Sequence, residues 1–296
     1  MKFGAIDIGT NAARLLVGEV CQEQNHFYVK KISYTRIPLR LGDDVFEFGR
    51  ISKAKYKNTL DTIKSFKLIA GIFEVEQLRA VATSAMRESK NADKIIQKIT
   101  QKTGVTIEVI SGQEEADLIF GTFLLLDFDK LNPFIVVDVG GGSTEISVFE
   151  LGQKIASKSF EIGTIRMLKN KVSEEIWVEM AHWLDKNMDK TIPHSLFGTG
   201  GNINKIHKII GLKDQQPVEL KKMKSLYDSI RKLSVEERMD KFHLKPDRAD
   251  VIVPALEIYL FLMSKMQINK ILAPKIGLSD GMIYKMFTDS INLNSN

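Results

Sequence analysis

The chain has 296 residues, of which 44% are hydrophobic, so it can bury a substantial core, and we expect two domains. Its single cysteine, Cys21, excludes an internal disulfide framework and indicates a reducing, cytoplasmic location. The net charge of +5 is compatible with an anionic partner, and no run approaches the roughly 20 apolar residues of a membrane span, so we expect neither membrane insertion nor export.

The first predicted element is a strand within residues 2–11, KFGAIDIGTN. An apolar run leads into Asp7, and Gly9, Thr10 and Asn11 follow it at once. Glycine permits a tight turn, and a hydroxyl and an amide beside it can donate hydrogen bonds to an anion. The pattern therefore predicts a buried strand that ends in an acid and an anion-binding turn.

Residues 13–20 and 27–35 are predicted to be two further strands, which would form a small antiparallel meander with the first. Arg40 and Gly42 come next in the chain. An arginine beside a glycine is suited to bind a phosphate, but it is equally typical of an ordinary loop. Both interpretations of Arg40 stay open.

Four alternating elements complete the first domain: a helix capped by Ser52 and ended by Gly71, a strand over 78–82, a helix over 92–102 and a strand over 105–110. Arg87 follows the strand over 78–82. The ends of parallel strands commonly bind ligands, so Arg87 is a candidate, with a solvated arginine as the alternative.

Ser111 and Glu114 have the spacing of a capping box, in which each side chain bonds the backbone N–H of the other residue. The box explains Glu114 completely, whereas it does not involve Glu115. Glu115 lies in the first helical turn, where the helix dipole favours the ionised carboxylate that a general base needs. Simple complementation of the dipole is the alternative explanation for Glu115.

The most informative stretch is Phe134 to Glu145, FIVVDVGGGSTE. A β-branched, aromatic run predicts a strand covered on both faces, and Asp138 lies at its end. Gly140, Gly141 and Gly142 can adopt positive φ and turn successive N–H groups toward one anion, and Ser143 and Thr144 add hydroxyls. Two acids beside an anion would repel it unless a divalent cation or a reacting water lay between them. Asp138 and Glu145 therefore indicate metal-assisted phosphate chemistry.

Asp7 and Asp138 thus head two similar strand-turn units in the two halves of the chain, so we predict a duplicated fold. The second half continues with strands over 145–151 and 154–159 and an amphipathic helix over 174–188. We further predict a helix from Ile203 after a third glycine turn, a helix from Arg248 through Leu262, and a last helix after Gly281. The histidine spacings fit no zinc site, and we expect no nucleic-acid binding because no such motif is present.

Five segments together resemble the exopolyphosphatase and guanosine pentaphosphate phosphohydrolase (Ppx/GppA) family over essentially the whole chain. They are AIDIGTN, VATSAMRES, ISGQEEADLIFG, VVDVGGGSTEISV and FGTGGN. The resemblance implies an α/β fold of two ribonuclease-H-like domains, as in actin, sugar kinases and heat-shock ATPases, with the active site in the cleft between them. We place the domains at 1–121 and 122–279, with the helix 280–296 packing back on the first domain.

By the same resemblance, the protein is a Mg²⁺-dependent phosphoanhydride hydrolase that releases terminal phosphate from linear polyphosphate or guanosine pentaphosphate. Glu115 is implied as the base that activates water, and Asp138 and Glu145, with Asp7, as the acids that hold the metal or the water. The implied phosphate-binding residues are Gly9, Thr10, Asn11, Arg87, Gly140, Gly141, Gly142, Ser143 and Thr144. A kinase of the same superfold and a non-catalytic sensor of guanosine tetra- or pentaphosphate are the alternatives, and homodimerisation is left open.

Two substitutions depart from the family pattern. Ala12 occupies a position at which many members have serine, and Ser279 one at which the family often has arginine. The chain also ends near residue 296, as in the short two-domain branch of the family. Polyphosphate needs a continuous row of cations to stay bound between successive cleavages, and two domains offer only a short one. We therefore expect a distributive enzyme that prefers short or medium polyphosphate chains.

Overall fold

The computed structural model describes residues 1–23, 26–123, 125–126 and 128–294. The chain divides into two compact units. Unit 1 comprises Met1–Asp127 and Ile276–Asn296, and unit 2 comprises Phe128–Lys275. The structure divides the chain after residues 127 and 275, whereas the predicted domain boundaries follow residues 121 and 279. None of the helices in the described ranges combines the length and the apolar character needed to cross a membrane.

Unit 1 is built on a five-stranded mixed sheet with the strand order β3-β2-β1-β4-β5. Its elements are β1 Phe3–Ile8, β2 Ala13–Glu23, β3 His26–Ile37, α1 Leu41–Phe48, α2 Lys53–Ile72, β4 Gln77–Ala82, α3 Ser84–Glu88, α4 Ala92–Thr103, β5 Ile107–Val109 and α5 Gly112–Phe123. Every residue of β1 is buried, as expected of a central strand covered on both faces. The predicted meander is confirmed, because β1, β2 and β3 pair antiparallel.

Unit 2 is built on a four-stranded mixed sheet with the strand order β8-β7-β6-β9. Its elements are β6 Phe134–Val139, β7 Thr144–Glu150, β8 Gln153–Phe160, α6 Thr164–Leu168, α7 Glu174–Asn187, β9 Ser195–Thr199, α8 Gly200–Ile210, β10 Val218–Glu219, α9 Leu220–Ile230, α10 Val235–Phe242, α11 Pro246–Ala249, α12 Ile252–Met266 and β11 Lys270–Ile271. Strands β10 and β11 form a separate antiparallel pair, and Leu272 adds a parallel bridge to Phe197 of β9.

The two main sheets share one design. In each, a central strand pairs antiparallel with the next strand of a meander and parallel with a strand that follows a crossover: β1 with β2 and β4, and β6 with β7 and β9. Asp7 and Asp138 occupy the same place, one residue before the end of the central strand. The predicted α/β class and the duplication are therefore confirmed.

The predictions for α8 and for the helix from Arg248 need correction. Helix α8 begins at Gly200 rather than Ile203, so the glycine turn forms its first turn. The predicted single helix from Arg248 is two helices, α11 and α12, and α1 was not predicted at all. These starts are set by tertiary packing, which local glycine and apolar patterns do not report.

The last helix, α13 Leu278–Asn294, begins before the predicted residue 280 and contains Gly281 in its first turn; residues 295 and 296 lie outside the described residues. It packs on α5, β1 and β2 of the same unit. A Cβ on Gly281 would lie 1.9 Å from the backbone oxygen of Leu118 in α5. The two helices can therefore approach this closely only because residue 281 has no side chain.

We expect Gly281→Ala to destabilise unit 1 by at least about 2 kcal/mol, because α13 must move away from α5 to accommodate the methyl group. Gly71→Ala is the matched control: Gly71 lies in α2, and a Cβ there would meet nothing within 4 Å. Alanine is the better helix former, so the control should be neutral or stabilise by up to about 1 kcal/mol. Urea unfolding followed by circular dichroism measures both changes, and equal midpoints for the two variants would contradict the expectation.

Candidate active site

In unit 2, two acids lie directly opposite each other on neighbouring strands. Asp138 of β6 pairs in antiparallel register with Glu145 of β7, and one carboxylate oxygen of each lies within 4.8 Å of the other. Glu145 is buried and accepts a hydrogen bond of 2.7 Å from the Ser159 hydroxyl. Like charges opposite each other in a sheet are destabilising, and a divalent cation would offset that repulsion. The carboxylate oxygens are hard ligands that suit Mg²⁺.

The loop of three glycines after β6 is anchored by its carbonyl oxygens to the start of α6. The Gly140 oxygen accepts from the Thr164 N–H at 3.1 Å, and the Gly141 oxygen accepts from the Ile165 N–H at 2.8 Å. The Gly142 oxygen accepts from Nε of Arg166 at 2.8 Å. Since the carbonyls are engaged on the α6 side, the N–H groups of Gly141 and Gly142 are the part of the loop that remains for an anion.

Gly140, Gly141 and Gly142 do not use the positive φ that glycine permits. Among the described residues, the glycines with positive φ are Gly49, Gly104, Gly152, Gly200 and Gly211. Close packing against the loop instead explains a fourth glycine, Gly163, at the start of α6. A Cβ on Gly163 would lie 2.4 Å from the carbonyl carbon of Gly142 and 2.5 Å from that of Gly141.

Two donors predicted to bind phosphate already donate hydrogen bonds within the protein. The Gly140 N–H donates to the Ser143 carbonyl at 2.9 Å, and the fully buried Thr144 hydroxyl donates to the Ile162 carbonyl at 2.6 Å. Phosphate binding by either group would require these bonds to be exchanged. Ser143 is also buried. Gly141 and Gly142 are therefore the loop residues best placed to bind an anion through N–H groups.

A second glycine turn, between β9 and α8, lies against Asp138. Gly200 has φ of 84°, and a Cβ there would lie 2.4 Å from Oδ1 of Asp138. A Cβ on Gly201 would lie 2.4 Å from Nη2 of Arg248. The Asn202 amide donates to the Val139 carbonyl at 2.8 Å and accepts from Nη1 of Arg248 at 3.2 Å. The turn thus positions an arginine that the sequence interpretation assigned only to a helix start.

Tyr259 of α12 is the other residue near Asp138 that the sequence interpretation missed. It is fully buried, and its hydroxyl donates to the Thr199 carbonyl at 3.5 Å. Burial, and then the negative charge of Asp138, raise the pKa of Tyr259 well above its ordinary value. The phenol therefore stays protonated, as a donor, next to the acidic pair. The sequence gives little indication that Tyr259 lies near the site, because a tyrosine in an apolar helix is usually a residue of the hydrophobic core.

In unit 1, the position that corresponds to Glu145 is occupied by a basic residue, Arg14. Asp7 of β1 pairs in register with Arg14 of β2, and the buried Asp7 carboxylate forms an ion pair with the Arg14 guanidinium. The two strand-turn units therefore share a backbone design but differ in chemistry: unit 2 presents two acids, and unit 1 an acid with a base. The role of Asp7 as a metal ligand stays a prediction, and a metal would compete with Arg14 for the carboxylate.

The turn after β1 is held by backbone hydrogen bonds. The Gly9 N–H donates to the Ala12 carbonyl at 3.1 Å, and the Asn11 carbonyl accepts from the Arg40 N–H at 2.8 Å. The Thr10 hydroxyl oxygen accepts from the Ala85 N–H at 3.2 Å, so its own hydrogen can still be donated to an anion. Arg40 itself donates from Nε and Nη2 to the Asp43 carboxylate at 2.8 and 3.0 Å.

The ends of β4 and β5 bring Arg87 next to the start of α5. Arg87 donates from Nη1 to the Ile110 carbonyl at 2.7 Å, and α5 begins two residues later. The predicted capping box is confirmed: the Ser111 N–H donates to Glu114 at 2.7 Å, and the Glu114 N–H donates to the Ser111 hydroxyl at 3.1 Å. These bonds with Ser111 lower the pKa of Glu114. Glu114 is exposed, whereas Glu115 is buried, so the two neighbouring acids have different environments.

Comparison with known proteins supports one family. The model of the Ppx/GppA phosphatase family matches residues 19–290. A bifunctional 3-dehydroquinate synthase/phosphatase from Fusobacterium nucleatum is 30% identical over 276 residues, which cover 84% of this chain and 41% of that protein. Exopolyphosphatase 2 from Mycobacterium tuberculosis is 33% identical over 171 residues, which cover 56% of this chain and 53% of that protein.

A guanosine-5'-triphosphate,3'-diphosphate pyrophosphatase from Vibrio vulnificus is 24% identical over 306 residues, which cover 97% of this chain and 59% of that protein. The chain thus spans roughly half the length of the curated relatives it matches. Among solved structures, an exopolyphosphatase from Cytophaga hutchinsonii has a TM-score of 0.83 at 23% identity, and the match covers 98% of both chains. An Aquifex aeolicus member of the Ppx/GppA family has a TM-score of 0.76 at 23% identity, again over 98% of both chains. The structural likeness confirms the fold, and the match of the family model over most of the sequence shows that the chain belongs to the Ppx/GppA phosphatase family.

Proposed function

We propose that this protein is a Mg²⁺-dependent phosphoanhydride hydrolase that releases terminal orthophosphate from linear polyphosphate or guanosine pentaphosphate. The observation that carries the proposal is the acidic pair of Asp138 and Glu145, which lie opposite each other beside a glycine loop anchored on α6. Acids next to an anion-binding loop suit a substrate that arrives with a divalent cation. The relatives named as an exopolyphosphatase and a guanosine-5'-triphosphate,3'-diphosphate pyrophosphatase support the same substrate class.

In this proposal, Asp138 and Glu145 would hold Mg²⁺. The bound metal supplies neutralisation of the charge that develops on the phosphoryl oxygens. Tyr259 keeps its proton next to Asp138, and the Gly200 turn packs against that carboxylate. The protein's contribution to metal binding is to hold these two carboxylates in place.

The phosphate groups would be bound by the N–H groups of Gly141 and Gly142, by the Thr10 hydroxyl and by the guanidinium of Arg87. Phosphoryl transfer needs little covalent help from the protein, so positioning and charge neutralisation provide most of the barrier reduction. Glu115 would orient the attacking water and take its proton. The protonated Glu115 then returns the proton to solvent after orthophosphate has been released.

The single cysteine supports a cytoplasmic location for this reaction, because a reducing compartment keeps Cys21 as a thiol.

The proposed function is tested by measuring phosphate release from polyphosphate, guanosine pentaphosphate and ATP side by side with Mg²⁺. We expect turnover of polyphosphate, of guanosine pentaphosphate or of both, at rates at least about tenfold above that of ATP, because none of the residues assigned to the site is assigned to an adenosine. The ratio of the first two rates assigns the preferred substrate. Equal or faster turnover of ATP would contradict the proposal, and phosphoryl transfer from ATP to an acceptor would establish the kinase alternative.

A prediction about the glycine loop follows from Gly163. A methyl group at this position would push the backbone of Gly141 and Gly142 out of place. We expect Gly163→Ala to lower kcat/KM by at least about tenfold, since small displacements of positioning groups are costly in catalysis. Phosphate release and thermal unfolding are measured together, with Gly71→Ala as the control that adds the same methyl group in open space. Unchanged kinetics in folded Gly163→Ala would refute the role given to the loop.

A further inference from the structure

Unit 1 contains a groove of about 830 Å³ that includes none of the residues assigned to phosphate chemistry above. It lies between the end of α1, the start of α2 and the first half of α4. Its volume falls within the range of pockets that hold small organic ligands, which is about 300 to 1,000 Å³. A ligand site in this place would therefore be separate from the candidate active site.

The walls of the groove are apolar and aromatic. Ile51 and Ile95 form buried parts of the lining, and the side chain of Tyr56 lies beside them. Phe48, at the end of α1, lines the groove with 64% of its surface exposed to solvent. An aromatic ring exposed at a concave apolar surface is suited to stack on a planar ring of a ligand.

Four cations surround this apolar lining: Arg50, Lys53, Lys94 and Lys98. No acidic side chain is among the lining residues, so the lining itself carries only positive charges. Within the described part of the chain, none of the ion pairs includes any of these four residues. Their charges therefore attract an anion from solvent instead of neutralising the protein's own carboxylates.

The groove is held open by hydrogen bonds that do not depend on a ligand. The Asn91 amide donates to the Ile51 carbonyl at 2.9 Å and accepts from the Ile51 N–H at 3.0 Å. The Ser52 N–H donates to Asp44 at 2.9 Å, so this donor at the start of α2 is already used. A ligand's anionic groups would therefore be held by the basic side chains, while the wall between α2 and α4 is fixed in advance.

One polar group in the lining can still form a hydrogen bond with a ligand. The Tyr56 hydroxyl is buried and has no hydrogen-bond partner among the described residues, and Nζ of Lys98 lies 5.9 Å from the centre of the Tyr56 ring. A buried hydroxyl without a partner is unfavourable, and a polar atom of a ligand in the groove could bind it. The groove thus combines a stacking surface, a free hydroxyl and several cations.

From this combination, we propose that the groove is a second ligand site that binds a purine nucleotide carrying two or more phosphates. The base stacks on Phe48, and the phosphates bind the lysines of α4 and the cations at the start of α2. Inorganic phosphate alone would leave the aromatic surface uncovered, and a nucleoside alone would leave the cations without a partner. The site takes no part in the reaction proposed above, so either proposal can fail while the other stands.

The test uses calorimetric titration of the full chain with guanosine 5'-[β,γ-imido]triphosphate, inorganic tripolyphosphate and guanosine. We expect Lys94→Glu combined with Lys98→Glu to weaken the imido-nucleotide at least about tenfold, because two attractive charges become repulsive. Phe48→Ala should weaken the imido-nucleotide by about tenfold and leave tripolyphosphate unchanged. Lys221→Glu combined with Lys224→Glu, which reverses two charges on α9, is the matched control and should change neither affinity.

Photolabelling of the wild-type protein with 8-azidoguanosine triphosphate locates the site independently of any variant. We expect labelled peptides from residues 48–56 or 91–98. Labels confined to other peptides, nucleotide binding that the α4 variant leaves unchanged, or no binding to the wild type would each overturn the proposal. If Phe48→Ala weakens tripolyphosphate as much as the nucleotide, the assignment of a nucleotide is overturned.

Discussion

Glu115→Gln is expected to lower kcat for phosphate release by at least about 100-fold, as the loss of a general base should. Glutamine has the size of glutamate but cannot take a proton from water. The structure supports different roles for the two neighbouring acids, because Glu115 is buried, whereas Glu114 forms the capping box with Ser111. Steady-state kinetics on the preferred substrate measure the change, and substrate binding should survive it.

Glu114→Gln is the matched control, with the same chemical change one residue earlier. We expect near-normal kcat and a loss of stability of about 1 kcal/mol, because the box loses its charged acceptor. The pKa of Glu114 lies below its ordinary value of 4.5, so its contribution to stability is present above pH 4.5 and is lost as the pH falls through the folded-state pKa. The unfolding curves of this variant and the wild type should therefore converge in acid. Equal kinetic damage in both variants would refute the role given to Glu115.

Turnover is expected to require a divalent cation and to stop in excess chelator. Asp138 and Glu145 lie opposite each other, with one oxygen of each within 4.8 Å, and an anionic substrate could not approach this pair without charge neutralisation. Phosphate release as a function of Mg²⁺ concentration measures the requirement. Undiminished turnover in chelator would contradict it.

Asp138→Asn separates metal binding from a general loss of folding. We expect this variant to need at least about tenfold more Mg²⁺ for half-maximal rate, because a neutral amide is a weaker ligand than a carboxylate. Asp214→Asn removes an exposed acid of the same unit that pairs with Lys275, and it should leave the Mg²⁺ dependence unchanged. A normal Mg²⁺ requirement in Asp138→Asn would remove Asp138 from the metal site.

The sequence by itself determined the local elements and the repeated design. An apolar run that ends in Asp7 or Asp138 predicts a buried strand, and Ser111 with Glu114 predicts a helix start. Each of these signals depends on residues close together in the chain. The strands, the capping box and the duplication of the α/β sheet were therefore predictable, and the five family segments placed the candidate residues on them.

The tertiary structure decided which chemistry each copy of the design carries. Strand register places Arg14 opposite Asp7 but Glu145 opposite Asp138, so one copy is an ion pair and the other is an acidic pair. Close packing against the loop after β6 explains why residue 163 is glycine, and the glycines of that loop do not use positive φ. Residues distant in sequence also bring Arg248 to the Gly201 turn. Register and close packing arise from contacts between distant segments, and no local pattern in the sequence encodes them.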